Sequence, residues 1–153
     1  MNTFRRGKIL FALATLALVA GCGTTQPRSA TFASVVITGK SAKEISDTTV
    51  AVFIAENYHA LTSAGDELLF EKEGTHGEEI AYGTWIKDGD VVKSVRARIV
   101  LIAPDQHRLE CEAFMVRHAN EPMFRDEVRL KNIRARPYQK LLDEVASRLK
   151  ANL

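Results

Sequence analysis

The sequence predicts an α+β fold: an antiparallel sheet of about five or six strands packed against a long C-terminal helix, with one helix after the first strand. Three observations carry this. In Val95-Arg96-Ala97-Arg98-Ile99-Val100-Leu101 the odd positions are apolar and the even ones largely charged. In His107-Arg108-Leu109-Glu110-Cys111-Glu112-Ala113-Phe114-Met115 the odd positions again hold Leu109, Cys111, Ala113 and Met115. Alternation with a period of two marks a strand that buries one face. Towards the C-terminus, Tyr138, Leu141, Leu142, Val145 and Leu149 form one helical stripe, while Lys140, Asp143, Glu144 and Arg148 face water.

Arg5, Arg6 and Lys8 open the chain, and an apolar run follows from Ile9 to Leu18. The run closes on Val19-Ala20-Gly21-Cys22. A basic region, a short apolar core and small residues at a cleavage site mark an export signal. The run is too short to cross a bilayer comfortably, which takes about 20 apolar residues. Val19-Ala20-Gly21-Cys22 resembles the lipobox of bacterial lipoproteins, in which an apolar residue and two small ones precede a cysteine. The resemblance implies lipidation at Cys22: the thiol receives a diacylglyceryl group, the chain is cut before it, and the new amine is acylated. Several acyl chains at about 0.8 kcal/mol per buried CH₂ make detachment negligible. In Gram-negative lipoproteins an Asp after the cysteine holds the protein in the inner membrane. Gly23 therefore resembles an address for the outer membrane, with the domain facing the periplasm. The competing reading is an ordinary secretory signal in which Cys22 is incidental.

The expected organisation is a removed signal peptide over 1–21, an acylated cysteine and short tether over 22–30, and one α+β domain over 31–153. Gly23 to Ala30 is polar and reaches at most about 25–30 Å when extended, so the domain would sit close to the membrane surface. Removing residues 1–21 from 153 leaves 132, enough for one domain with a real core. It also removes three of 21 basic residues and none of 19 acidic ones, leaving 18 against 19. The net charge becomes −1 instead of +2, which argues against nucleic acid as a partner and against strong general attraction to an anionic membrane.

The elements follow in order. Thr31 to Thr38 carries Val35, Val36 and Ile37 and reads as a strand ended by Gly39. Ser41-Ala42-Lys43-Glu44 matches a capping box and opens a helix over about 42–56, with Ile45, Thr49, Val52 and Phe53 on its apolar face. The β-branched residues among 48–52 compete for a strand there. Tyr58 to Ser63 and Glu67 to Glu73 read as strands joined by Ala64-Gly65-Asp66. Gly74 to Gly77 reads as a loop. Ile80, Tyr82 and Thr84 alternate and predict a further strand ending at Trp85-Ile86. Asp88-Gly89 is a hairpin signature because both central residues of the turn need positive φ. Pro104-Asp105-Gln106 joins the two alternating runs, and a three-residue loop would set Arg98 opposite Glu112. Met123 to Leu130 predicts a short edge strand, and Pro137 suits the first turn of the last helix. This order resembles the helix-grip or TBP-like arrangement. It also loosely resembles the domains of lipoprotein subunits of the outer-membrane barrel-assembly machinery.

Few residues in the domain invite chemistry. His107, Cys111 and His118 contain metal-ligand types, but 107 and 111 share a strand face about 13 Å apart while 118 falls on the other. The apolar row explains Cys111 better, as a core residue. Asp88-Gly89-Asp90 lacks the later ligands of a calcium loop. No Gly-x-Ser-x-Gly elbow and no glycine-rich phosphate loop occur. Catalytic, cofactor and metal residues are therefore not assigned. Glu71, Glu73, Glu78 and Glu79 form an acidic cluster, a solvated rim or a dock for a basic partner. Arg125, Arg129, Lys131, Arg134 and Arg136, interleaved with Asp126 and Glu127, form a basic one, either solvated or in contact with lipid phosphates or lipopolysaccharide. The expected function is that of a membrane-anchored lipoprotein. It would be a non-enzymatic structural or accessory subunit that binds another envelope component through the sheet's outer face or an edge strand. The alternative is a module that binds a lipid or small ligand between helix and sheet. Leu101, Met115, Leu141, Leu142 and Leu149 would tend to fill such a cavity.

Overall fold

A computed structural model describes residues 32–64, 66–82, 91–121 and 123–151. The expected export signal, Cys22, the expected tether, Trp85 and the turn expected at Asp88-Gly89-Asp90 lie outside the described residues. The two alternating runs form the centre of the sheet as β4 (Val91–Ala103) and β5 (Gln106–Arg117). Val95, Ala97, Leu109, Cys111, Ala113 and Met115 are all buried, so the odd positions make one dry face. β1 (Ala33–Thr38) pairs with β5, β3 (Glu67–Glu73) with β4, and β2 (His59–Ala64) with β3, all antiparallel. The order is β1-β5-β4-β3-β2. A short β6 (Asp126–Arg129) takes Phe114 to Arg117 of β5, while β1 takes Gln106 to Cys111. β1 and β6 therefore lie end to end along one edge of β5.

The β4–β5 register differs from the expected one by two residues. Arg98 faces Glu110 and Arg96 faces Glu112, not Arg98 and Glu112. The connection is two residues, Pro104 and Asp105, with Asp105 at φ 57 and an irregularity between Leu101 and Ala103 that absorbs the extra residue. The slip is even, so every side chain keeps its face.

Two helices form the second layer over the dry face. α1 (Ala42–Ala55) starts at the expected capping box. The Glu44 backbone N–H donates to Ser41 Oγ at 3.2 Å, and the Ser41 backbone N–H donates to Glu44 Oε2 at 2.9 Å. It ends in a Schellman motif: Asn57 sits at φ 62, Tyr58 N–H donates to Phe53 C=O, and Asn57 N–H donates to Ile54 C=O. The β-branched residues stay helical because the inner ones have a use there. Val52 and Phe53 are buried, and buried Thr49 donates its hydroxyl to Ile45 C=O at 2.7 Å. Phe53 stacks on Phe70 of β3, ring centres 4.3 Å apart. α3 (Arg136–Ala151) buries Tyr138, Leu142, Val145, Ala146 and Leu149 against β1, β5 and α1. Leu141 is half-buried, and Leu101, expected inside, is 67% exposed because β4 runs on past the helices. Among the described residues no helix is long and apolar enough to cross a membrane.

The strand expected over 80–86 is instead a short helix as far as the described residues go, α2 (His76–Tyr82). The Glu78 half of a capping-box pattern, Thr75-His76-Gly77-Glu78, starts it. Glu78 Oε2 accepts from the Thr75 backbone N–H at 2.8 Å and from its hydroxyl at 2.9 Å. Two hydrogen bonds at the first turn outweigh a three-residue alternation. Gly74 docks the turn on β4 by donating to Val91 C=O at 2.8 Å.

Candidate functional site

Beyond Phe70 the dry face of the sheet turns polar. Lys72 of β3 lies directly opposite Lys93 of β4, on the helix side. Like charges opposite each other are unfavourable unless each finds a partner. Lys72 Nζ donates to the Glu56 backbone C=O at 2.8 Å and lies over the Tyr58 ring at 5.3 Å. Lys93 Nζ lies 3.0 Å from Glu78 Oε2, which α2 delivers. Across from them stand Tyr138, in the first turn of α3, and Arg134, in a 3-10 helix over Asn132–Arg134. Together these groups line a cleft of about 260 Å³ floored by Met115 and Leu130.

The cleft holds its groups in fixed charge states. Burial pushes the Tyr58 phenol up to about 12, against a smaller opposing effect from Tyr138. Burial, then the neighbouring Tyr58, raises Tyr138 as well. Burial works against ionised Glu78, but its bonds from Thr75 and Lys93 prevail and hold it below the ordinary carboxylate range. At neutral pH the phenols are protonated and Glu78 is ionised. Such a set donates hydrogen bonds and presents cations, which suits holding a small oxyanion better than moving a proton. Ligand pockets for drug-sized molecules run from about 300 to 1,000 Å³, so the cleft, at about 260 Å³, is of the size of a small headgroup. Met115, Leu142 and Leu149 are buried and fill the space between helices and sheet.

The residues singled out in the sequence separate. Cys111 is buried at the sheet centre, and burial, then Glu112 and Glu110, push its thiol up to about 12. His107 shares its face on β5, while His118 lies past the strand's end. No group of three His, Cys, Asp or Glu among the described residues could hold a metal ion. The acidic cluster is divided between partners: Glu71 binds Arg125 at 2.8 Å, Glu78 binds Lys93, and Glu79 approaches His76 at 3.7 Å.

The outer face of the sheet is a lattice of ion pairs. Arg96 pairs with Glu127, Arg129 with Glu112 at 2.8 Å, and Arg108 with Glu110 at 3.1 Å, while Arg117 pairs with Asp126 on the helix side. Arg96 also lies over the Phe114 ring, 4.5 Å from its centre. The pairs made by Glu127 and Arg129 tie β6 to the sheet, while exposed Arg98 has no ion pair among the described residues. The edges differ from each other. Gln139 of α3 clasps the outer edge of β1: its Oε1 accepts from Ser34 N–H at 3.1 Å and its Nε2 donates to Ser34 C=O at 3.0 Å. β2 ends the strand order with no strand on its outer side among the described residues, and Leu61 there is 52% exposed.

Sequence reasoning missed the lysine pair and its phenols, because a cross-strand pair is visible only once the register of β3 on β4 is known. Thr75-x-x-Glu78 was the available signal for α2. No protein-family model matches the chain, and no curated protein or solved structure matches it significantly.

Proposed function

We propose that this chain is a lipid-anchored envelope lipoprotein, held through Cys22 in the outer membrane and facing the periplasm. It acts as a non-enzymatic structural or accessory subunit that binds another envelope protein. The observation that carries the reading is Val19-Ala20-Gly21-Cys22 at the end of an apolar run with a basic opening. The edge of β2, open among the described residues, supports the partner: the outward backbone groups of such an edge are a template for a strand from another chain. The ionic outer face offers less, because Arg96, Arg108, Arg125 and Arg129 already hold carboxylates. The test is native mass spectrometry of the full-length protein extracted gently from its own membranes. The reading expects a chain that begins at an acylated Cys22 and a second protein at fixed stoichiometry. An unmodified Cys22 refutes the anchor, and a bare acylated monomer refutes the subunit role.

The cleft favours a second reading, a module that binds a small anionic ligand beside the membrane. Its volume and its cations, Lys72, Lys93 and Arg134, support a headgroup-sized guest. A small molecule retained in the same spectrum, and lost in Lys93→Gln, would place this reading first.

A further inference from the structure

The basic residues of the C-terminal approach fall into two sets. Arg125 and Arg129 belong to the ion-pair lattice on the outer face. Lys131, Arg134 and Arg136 have no ion pair with any described carboxylate. They occupy one exposed stretch, Lys131-Asn132-Ile133-Arg134-Ala135-Arg136, in which Ile133 is 88% exposed. Three unpaired cations around an exposed Ile form a surface of the kind that anionic lipid headgroups attract.

The start of the described chain lies beside this stretch. Leu130 N–H donates to Ala113 C=O of β5, and Ala33 faces Cys111 on the same strand. The two attachment points are two residues apart, about 7 Å along β5. Phe32 packs on Tyr138 in the first turn of α3, ring centres 5.3 Å apart. The chain preceding Phe32 therefore leaves the domain next to 131–136. The hairpin tip at Pro104-Asp105 is at the other end of β1, about 17 Å away. Net charge does not oppose this, because charges beyond about 8 Å are largely screened at physiological salt. The local surface decides.

We propose that residues 131–136 rest on the anionic headgroup surface of the membrane that holds Cys22, with Lys131, Arg134 and Arg136 on lipid phosphates and Ile133 in the interface. This rests on the anchor reading given above. It sets the orientation of the domain: α3's N-terminal end faces the membrane, and the β4–β5 tip faces away.

The test uses the full-length protein reconstituted in vesicles of phosphatidylethanolamine and phosphatidylglycerol, carrying Ile133→Cys labelled with an environment-sensitive fluorophore. Cys111 is buried and an acylated Cys22 has no free thiol, so the introduced thiol is the reactive one; where Cys22 is found unacylated, the label is read in a Cys22→Ser background. The label should shift to the blue in these vesicles, return to its aqueous spectrum in pure phosphatidylcholine or high salt, and stay aqueous when placed at Leu101→Cys. Lys131→Gln/Arg134→Gln/Arg136→Gln should lower the fraction of domains docked by on the order of 100-fold in apparent equilibrium constant. A label at 133 as aqueous as the one at 101, or one unmoved by the triple substitution, overturns the proposal. Intact mass of the same sample reports Cys22. A blue shift without acylation refutes the anchor and keeps this surface, and acylation without a shift does the reverse.

Discussion

Gln139 offers the sharpest test of the packing, because one side chain closes both hydrogen bonds at the edge of β1. Gln139→Ala removes the donor to Ser34 C=O and the acceptor for Ser34 N–H, and both backbone groups are partly buried. At about 1 kcal/mol per net hydrogen bond, the loss is about 2 kcal/mol. The better helix propensity of Ala returns a few tenths. The expected cost is about 1.5–2 kcal/mol, read as a lower urea midpoint with unchanged slope. For a domain of this size that corresponds to a fall of roughly 6–12 °C in Tm. Gln139→Glu sharpens the test. The introduced carboxylate still accepts from Ser34 N–H but faces Ser34 C=O and Asp143, which Gln139 Nε2 reaches at 2.9 Å. It should cost more than Ala at pH 7 and less in acid, where its protonated form donates again. A Gln139→Ala midpoint within about 0.5 kcal/mol of wild type would refute the edge clasp.

Three further outcomes are expected. Gly74→Ala would place its Cβ 2.8 Å from Val91 C=O and should cost about 1–3 kcal/mol, whereas Gly77→Ala, in open space within α2, should stabilise by about 0.5–1 kcal/mol in urea unfolding. The Cys111 thiol, ordinarily near 9.0 and raised to about 12, favours the fold fully below pH 9 and loses that contribution as pH rises towards 12. The gap in urea midpoint between wild type and Cys111→Ala should therefore shrink in that window. Glu78 has a folded value lowered from 4.5, so its contribution is present above that pH and lost below it. Native-state hydrogen exchange should show α2 loosening in acid, and Glu78→Gln should remove the pH dependence.

Much of this fold is legible in the chain because one repeated pattern marks each layer. The odd-position rows of β4 and β5 and the stripe on α3 are long enough that no competing pattern explains them. Ser41 and Glu44 mark the start of α1 before any tertiary contact is known. The failures are local. Ile80, Tyr82 and Thr84 alternate over too few residues to prevail against the Thr75–Glu78 cap. The hairpin register depends on a left-handed Asp105 and a bulge, neither of which composition reveals. The cleft was hidden for another reason: Tyr58, Lys72, Lys93, Arg134 and Tyr138 come from distant parts of the sequence, and only the pairing of β3 with β4 brings the two lysines together.

The place where the chain enters the domain has a mechanical consequence. Force applied to the segment before Phe32 reaches the fold through β1, whose ladder with β5 runs from Ala33 to Thr38. Antiparallel hydrogen bonds lie across the strands. A pull along β1 therefore shears the whole ladder at once, while a pull sideways peels it one bond at a time. The Gln139 clasp sits at Ser34, near the point where peeling would begin. The first strand of the domain is thus strong along its own axis and has a catch against being lifted from its end.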